Sequence, residues 1–339
     1  MTFSAYLQQR ARRIDQRLFE LLENWKKQYV ALNDLVPLLN AFIESCKGGK
    51  RLRAALVVLG YELGKKGSNH DILQPAIAFE IFQTAILAHD DIIDKSPIRR
   101  GKPSLHFALG GDDYGVSQAI SLGDLGFFLA TQLIAESNFP SENKNRALGV
   151  FSKTLQQTAA GEILDVLLPK KKSIIRDDIL TIAKLKTASY SFVGPLLVGS
   201  TLAGFENKNL LVFGENLGIA YQIQDDILGI FGSEKTLGKS NTSDIQEGKV
   251  TLLLLYAQEY ANNTQQKKLT QLYGKKDLTK SEKKEIEDVF TTTGAYAYAT
   301  SMMRKYADAA SVLIPTISKD SGIQALLKSM ISFLLERKK

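Results

Sequence analysis

Apolar positions recur along most of this chain at the three-and-four spacing of an α-helix. Leu18, Leu21, Leu22 and Trp25 fall on one stripe, and Phe79, Phe82 and Ile86 on another, with Ala85 alongside. Two runs, AALVVLGYELG and DLGFFLATQLIAE, are apolar on nearly every side, the pattern of helices enclosed in a large core. Strand-like alternation bounded by hairpin turns is absent from the pattern. So are the glycine-rich fingerprints of nucleotide-binding folds. Breakers divide the chain, with loops expected at Gly64 to His70, Asn138 to Asn145 and Leu168 to Asp178. Ser173 and Asp177 are N-cap candidates for the helix after the last of these. From Gln258 to Glu287 the chain turns polar and Lys-rich, as a surface helical hairpin would. The uncharged stretch Thr187 to Phe205 has the length of a membrane span. Its Ser, Gly, Pro and Thr residues read better as a buried helix pair. The expectation is a single all-α domain over residues 1–339, a large bundle of ten or more helices.

Composition narrows the class only slightly. Of 339 residues, 44% are apolar and 23% charged, the balance of a soluble globular protein. The lone cysteine, Cys46, excludes an intrachain disulfide and a cysteine-based zinc site, and a reducing, cytoplasmic setting is expected. The first residues are charged throughout, so no export signal is expected. A net charge of +7 suits anionic partners, whether nucleic acid, an acidic membrane surface or phosphorylated small molecules.

The chemistry concentrates in two acidic clusters. In AHDDIIDKSPIRRG, Asp90 and Asp94 are four apart and share a helix face, with Asp91 to the side. Neighbouring carboxylates repel unless a cation lies between them. In AYQIQDDILGIFG, Asp225 and Asp226 again end an apolar run. Each cluster follows a glutamine, Gln83 or Gln222. Clustered carboxylates on two helices suit Mg²⁺, a hard ion that takes carboxylates and phosphate oxygens and keeps several waters. Cations sit close by. Lys50 and Arg53 follow two glycines in GGKRLR, and Arg99 and Arg100 follow the first cluster. Lys186 precedes Thr187, and Lys239 and Lys249 flank SNTSDIQEG. Carboxylates, a divalent ion and a ring of Arg and Lys are what diphosphate groups need.

With these motifs in order from about Gly48 to Lys249, the chain resembles the trans-isoprenyl diphosphate synthases, or polyprenyl synthetases. GGKRLR is similar to their isopentenyl diphosphate-binding motif. HDDIID with RRG resembles the first aspartate-rich motif, KT the Lys-Thr pair, and YQIQDDILG with GKSNTSDIQEGK the second aspartate-rich motif and its lysine loop. The resemblance implies an all-α isoprenoid-synthase bundle around a central apolar cavity, acting as a homodimer. It also implies Mg²⁺, three per active site. Asp90, Asp91 and Asp94 would bind metal on one side of the allylic diphosphate and Asp225 on the other. Arg99, Lys186 and Lys239, with Lys249, would hold that diphosphate. Lys50, Arg53 and Arg100 would hold isopentenyl diphosphate, with Gln83 facing it. Lys186, Thr187 and Gln222 would act at the reacting centre. Two positions depart from the family pattern. Ala54 replaces a usual proline, and Gly229 replaces a frequent third aspartate, which puts the second-side metals in question.

The resemblance also points to product length. Bulky residues four and five before the first aspartate would close the product tunnel early, and those positions hold Ile86 and Ala85. Phe82, about a turn deeper, is the expected floor. A twenty-carbon product, geranylgeranyl diphosphate, is expected. The alternatives are a longer polyprenyl or a farnesyl diphosphate synthase, or the catalytic subunit of a heteromeric one. A terpene cyclase would not need the Lys50, Arg53 and Arg100 set. A nucleic-acid protein would not need paired carboxylate clusters, and no stacking-type aromatic–basic interleaving is present. Neither nucleic acid nor a transmembrane segment is therefore expected.

Overall fold

The computed structural model describes residues 1–65, 70–232 and 242–336, and helix dominates it. Lys239 lies outside the described residues. The chain divides into two compact units. The first comprises Met1–Thr154, Gly194–Leu210 and Ile317–Leu326, and the second Leu155–Val193, Leu211–Thr316 and Leu327–Lys339.

The first unit is organised around α4 (Leu73–Ile93), which packs against α1 (Phe3–Lys27), α3 (Leu52–Gly64), α5 (Leu105–Ala108), α6 (Asp113–Ala135) and α9 (Gly194–Leu202), while α2 (Leu35–Ser45) packs on α1, α5 and α6. Its apolar residues run almost all round, and Ile77, Phe79, Ile81, Phe82, Ala85 and Ala88 are all buried. Burial on this scale stabilises by about 2 kcal/mol per large apolar side chain. α4 and α6 have the length and apolarity of membrane spans, which the sequence reading sought only in Thr187 to Phe205. Most of α4 is buried within the protein. One short hairpin, not anticipated, interrupts the helices. β1 (Ile98–Arg99) pairs antiparallel with β2 (Lys102–Pro103). Its two turn residues, Arg100 and Gly101, have φ of 54° and 75°, as a type I′ turn requires.

The second unit contains the C-terminal part of α7 (Ser141–Leu167), α8 (Arg176–Ile182), a π-helical segment (Ala183–Val193) and most of α10 (Lys208–Phe231). It continues through α11 (Ser243–Glu247), α12 (Leu252–Tyr260), α13 (Asn263–Leu272), α14 (Lys280–Thr292) and most of α15 (Ala295–Ile317), and its last stretch is the C-terminal part of α16 (Ser321–Leu335). The expected surface hairpin is α13 and α14, packed together. Each opens with a capping box, Asn262 with Gln265 and Thr279 with Glu282, which satisfies otherwise orphaned N–H groups.

Two local expectations need correction. α7 begins at Ser141, inside the loop expected over Asn138 to Asn145. Pro140 sits just ahead of it, a residue that suits a helix entrance as well as a loop. α8 takes neither Ser173 nor Asp177 as its cap. Ile175 stands there in extended conformation, and the Asp178 carboxylate accepts from its N–H at 3.0 Å. An acid at the third helical position can thus replace a capping side chain. The stretch from Thr187 to Phe205 is, as expected, largely buried helix, the end of the π segment followed by α9.

Helix α9 reaches α3 through glycines. A Cβ on Gly199 would lie 2.0 Å from the Val57 carbonyl oxygen, and one on Gly60 would lie 2.2 Å from that of Leu196. Backbone cannot yield to such contact cheaply. Gly199→Ala is expected to destabilise the protein by about 2 kcal/mol through overpacking, read as a lower midpoint in denaturant unfolding.

Candidate active site

Three carboxylates close the C-terminal end of α4. Asp90 and Asp91 lie in its last turn, and Asp94 is the exposed C-cap. Unpaired carbonyls make a helix C-terminus partly negative, so carboxylates there are doubly unfavourable and call for a cation. Arg99 supplies one. Its Nε donates to Asp91 Oδ1 at 2.8 Å and its Nη2 to Asp90 Oδ2 at 3.1 Å, with a second, shorter contact from Nη2 to Asp91. Asp91 is buried, and burial raises its carboxyl above the usual range against the downward pull of Arg99.

The hairpin turn sends the next arginine elsewhere. The Arg100 guanidinium lies 3.5 Å from where a side chain on Gly49 would begin. Gly48 and Gly49, both at positive φ, let the GGKRLR loop bend into α3, with Lys50 exposed and Arg53 half-buried. Gln83 is half-buried on α4, two turns before Asp90. Further along the same unit, Phe82 is 2% exposed and packs its ring on Phe127 and Phe151, with centroids 5.6 and 5.9 Å away. Ala85 is fully buried against Gly126, and Ile86 is half-buried.

The second unit carries the other predicted residues. Lys186 and Thr187 lie in the π-helical segment, a wide-turn geometry frequent at functional sites. Thr187 Oγ1 donates to Gln222 Oε1 at 2.5 Å, and Gln222 Nε2 donates to Asp226 Oδ1 at 2.8 Å. Lys249 Nζ donates to the same oxygen at 2.9 Å. The chain Thr187–Gln222–Asp226–Lys249 therefore spans three separate segments, with half-buried Asp225 beside it on α10. Burial raises the Asp226 carboxyl, opposed chiefly by Lys249. Desolvation works against the Lys249 charge, but Asp226, Asp244 and Asp165 outweigh it and raise its pKa.

Sequence reasoning missed several partners. Glu162 and Asp165 on α7 hold the Lys186 ammonium at 2.7 and 2.8 Å. Two acids three apart in the otherwise apolar GEILDVLL were the available signal. Asp244 on α11 was also missed, and it accounts for Gly229. A Cβ at Gly229 would lie 2.1 Å from Asp244 Oδ2, so a carboxylate from another helix occupies the space a third aspartate would need.

All the clustered donors are carboxylate oxygens. Among the described residues no three His, Cys, Asp or Glu side chains converge to ligate one ion by themselves. Such partial oxygen shells fit a hard divalent cation that draws further ligands from water and phosphate, and not a structural zinc.

Comparison with known proteins gives the family of the chain. Residues 36–290 match the polyprenyl synthetase family. The chain belongs to the polyprenyl synthetase family and is a trans-prenyltransferase. It is 32% identical over 298 residues to the geranylgeranyl diphosphate synthase of Sulfolobus acidocaldarius, covering 86% of this chain and 88% of that one. It is likewise 32% identical to the geranylfarnesyl diphosphate synthase of Aeropyrum pernix, covering 86% and 91%. The fold is similar to that of a polyprenyl synthase from Caulobacter crescentus, solved with calcium and isoprenyl diphosphate. That structure has a TM-score of 0.83 and 27% identity, covering 99% of this chain and 98% of that one. The family match crosses both compact units.

The Gly229–Asp244 contact can be tested within the enzyme. Gly229→Asp is expected to lower the thermal midpoint and the activity together, at a cost of about 1–3 kcal/mol from overpacking. Combining it with Asp244→Gly should recover most of the stability, measured by calorimetry on the four proteins of the cycle.

Proposed function

We propose that the enzyme condenses isopentenyl diphosphate head-to-tail with an allylic diphosphate and releases geranylgeranyl diphosphate. One observation carries this reading. Adjacent arginines at the hairpin serve two different places, Arg99 the carboxylates of α4 and Arg100 the glycine loop that bears Lys50 and Arg53. Two anion-binding places suit two diphosphate substrates, whereas a cyclase handles one.

In this reading Arg99, Lys186 and Lys249 bind the allylic diphosphate, and Lys50, Arg53 and Arg100 bind isopentenyl diphosphate, with Gln83 facing it. Lys239 is assigned to the allylic diphosphate by its motif alone. Asp90, Asp91, Asp94 and Asp225 would hold Mg²⁺, three ions per active site, and both units would work as one synthase domain. When bound, Mg²⁺ supplies Lewis-acid neutralisation of the leaving diphosphate. The allylic C–O bond breaks, the double bond of isopentenyl diphosphate attacks the resulting cation, and a proton leaves to the departing diphosphate. Arg99 exchanges its carboxylate partners for phosphate oxygens as substrate arrives. Thr187 and Gln222, already joined by a hydrogen bond, orient the reacting end of the allylic substrate. Apolar walls exclude the water that would quench the cation.

Use of a divalent metal is supported by the Caulobacter crescentus protein, which was solved with calcium and isoprenyl diphosphate. A second copy of the chain is part of the proposal. The first unit exposes Ile120 and Phe128 on α6, and the second exposes Ile163, Leu164, Val166 and Leu167 on α7, more apolar surface than a solitary helix face needs. A homodimer acting in the cytoplasm would cover it.

The deciding experiment is incubation with Mg²⁺, isopentenyl diphosphate and farnesyl diphosphate, with product chain length read by chromatography. A twenty-carbon diphosphate is expected, and chelation should abolish it. Asp90→Asn and Asp225→Asn should each lower kcat/KM by about a hundredfold or more, a loss of roughly 3 kcal/mol of transition-state stabilisation. A cyclised or hydrolysed hydrocarbon as sole product would overturn the condensation.

Product length follows from what lies behind α4. Ala85 is small and Ile86 is not aromatic, so Phe82, braced by Phe127 and Phe151, is the proposed floor. Phe82→Ala should shift the product to twenty-five carbons or more. An unchanged chain length would remove Phe82 from that role.

A further inference from the structure

A buried ion pair beneath the glycine loop has no part in the functions assigned so far. Arg51 is 3% exposed and sits at φ 55° as the N-cap of α3, where its own side chain caps nothing. The guanidinium turns inward instead. Nε donates to Asp15 Oδ1 at 2.6 Å, Nη2 to the Cys46 carbonyl at 2.8 Å and Nη1 to Glu80 Oε2 at 3.3 Å.

Glu80, also 3% exposed, uses its other oxygen differently. Oε1 accepts the backbone N–H of Ala54 at 3.0 Å. Ala54 is the third residue of α3, one of the helix-start donors that lack an intrahelical partner. A carboxylate there also meets the positive end of the helix dipole. The departure from proline at position 54 therefore acquires a reason in this chain. Alanine provides an N–H, and Glu80 takes it.

Glu80 thus grips both flanks of Arg53, at Arg51 and at Ala54, and ties this turn to α4 three residues before Gln83. It also attracts Arg100, which is repelled by Arg51, Arg53 and Arg99. The geometry points to Glu80, acting through Arg51 and the Ala54 N–H, as a positioning residue for the isopentenyl diphosphate site of Lys50, Arg53 and Arg100. This role rests on the substrate assignment proposed above.

Glu80 has two opposite influences on a diphosphate. Its charge repels the anion, while its hydrogen bonds hold the cations in place. The sign of a single measurement separates them. Glu80→Gln keeps the size and one acceptor but weakens the hold on Arg51. The KM for isopentenyl diphosphate should rise about tenfold, as for loss of one charged hydrogen bond, while the KM for the allylic diphosphate stays within about twofold. Arg51→Lys, which keeps the charge and loses the forked geometry, should show the same selective rise. Thermal melts confirm that each variant is folded at the assay temperature, and Arg51→Lys stands in if Glu80→Gln is not. An unchanged or lower KM for isopentenyl diphosphate, or an equal rise for both substrates, overturns the positioning role. Lys50→Ala is the reference. A selective rise there with none in the other two sinks only the role of Glu80. No rise in Lys50→Ala withdraws the substrate assignment itself.

Discussion

Helix polarity is the constraint on which this structure turns. Asp90 and Asp91 close the C-terminal end of α4, where the backbone is already electron-rich, and Asp225 and Asp226 lie about a turn and a half before the end of α10 at Phe231. A soluble protein selected only for stability would place lysine there. Each cluster instead recruits a cation from elsewhere in its own unit, Arg99 for Asp90 and Asp91, and Lys249 for Asp226. These partners offset part of the negative charge of each cluster. Under the proposed function the same partners engage a diphosphate, so resting stability and substrate capture would draw on one set of charges.

The positive loops obey a matching rule. Arginines crowded around GGKRLR would repel one another, and buried Glu80 offsets that repulsion from below. Lys186 is held by Glu162 and Asp165 in the same way. In each case the functional cation is exposed or half-exposed, while a partner acid sits further in. The approach of an anion then requires exchange of partners and not the creation of a new charged surface.

How much of this was legible beforehand depended on distance along the chain. The all-α class followed from apolar spacing alone, since a period of three to four over many turns admits no other regular structure. The aspartates and arginines were legible because each motif lies within one or two helical turns. What escaped notice was pairing between remote segments. Nothing near Glu80 in the sequence announces Arg51 or Ala54, and nothing near Gly229 announces Asp244. The hairpin at Arg99 and Arg100 escaped for another reason. Its turn places arginine where asparagine or glycine would be the usual signal. The cap of α8 failed similarly, because a side chain at the third helical position did work expected of the cap itself.

The hairpin turn exacts something from the protein. An arginine at φ 54° sits in a left-handed conformation that costs an ordinary residue roughly 1–2 kcal/mol, and glycine would adopt it freely. Arg51 bears the same burden nearby, at φ 55°. At both positions the backbone would be more comfortable with a residue that has no Cβ. At Arg100 folding and the proposed capture of an anion therefore pull in opposite directions, whereas the Arg51 side chain holds Asp15 and buried Glu80 and so supports the fold that its backbone strains. A search for more stable variants would be drawn to glycine at position 100, and there it would trade the charge proposed to hold a substrate for a few degrees of melting temperature.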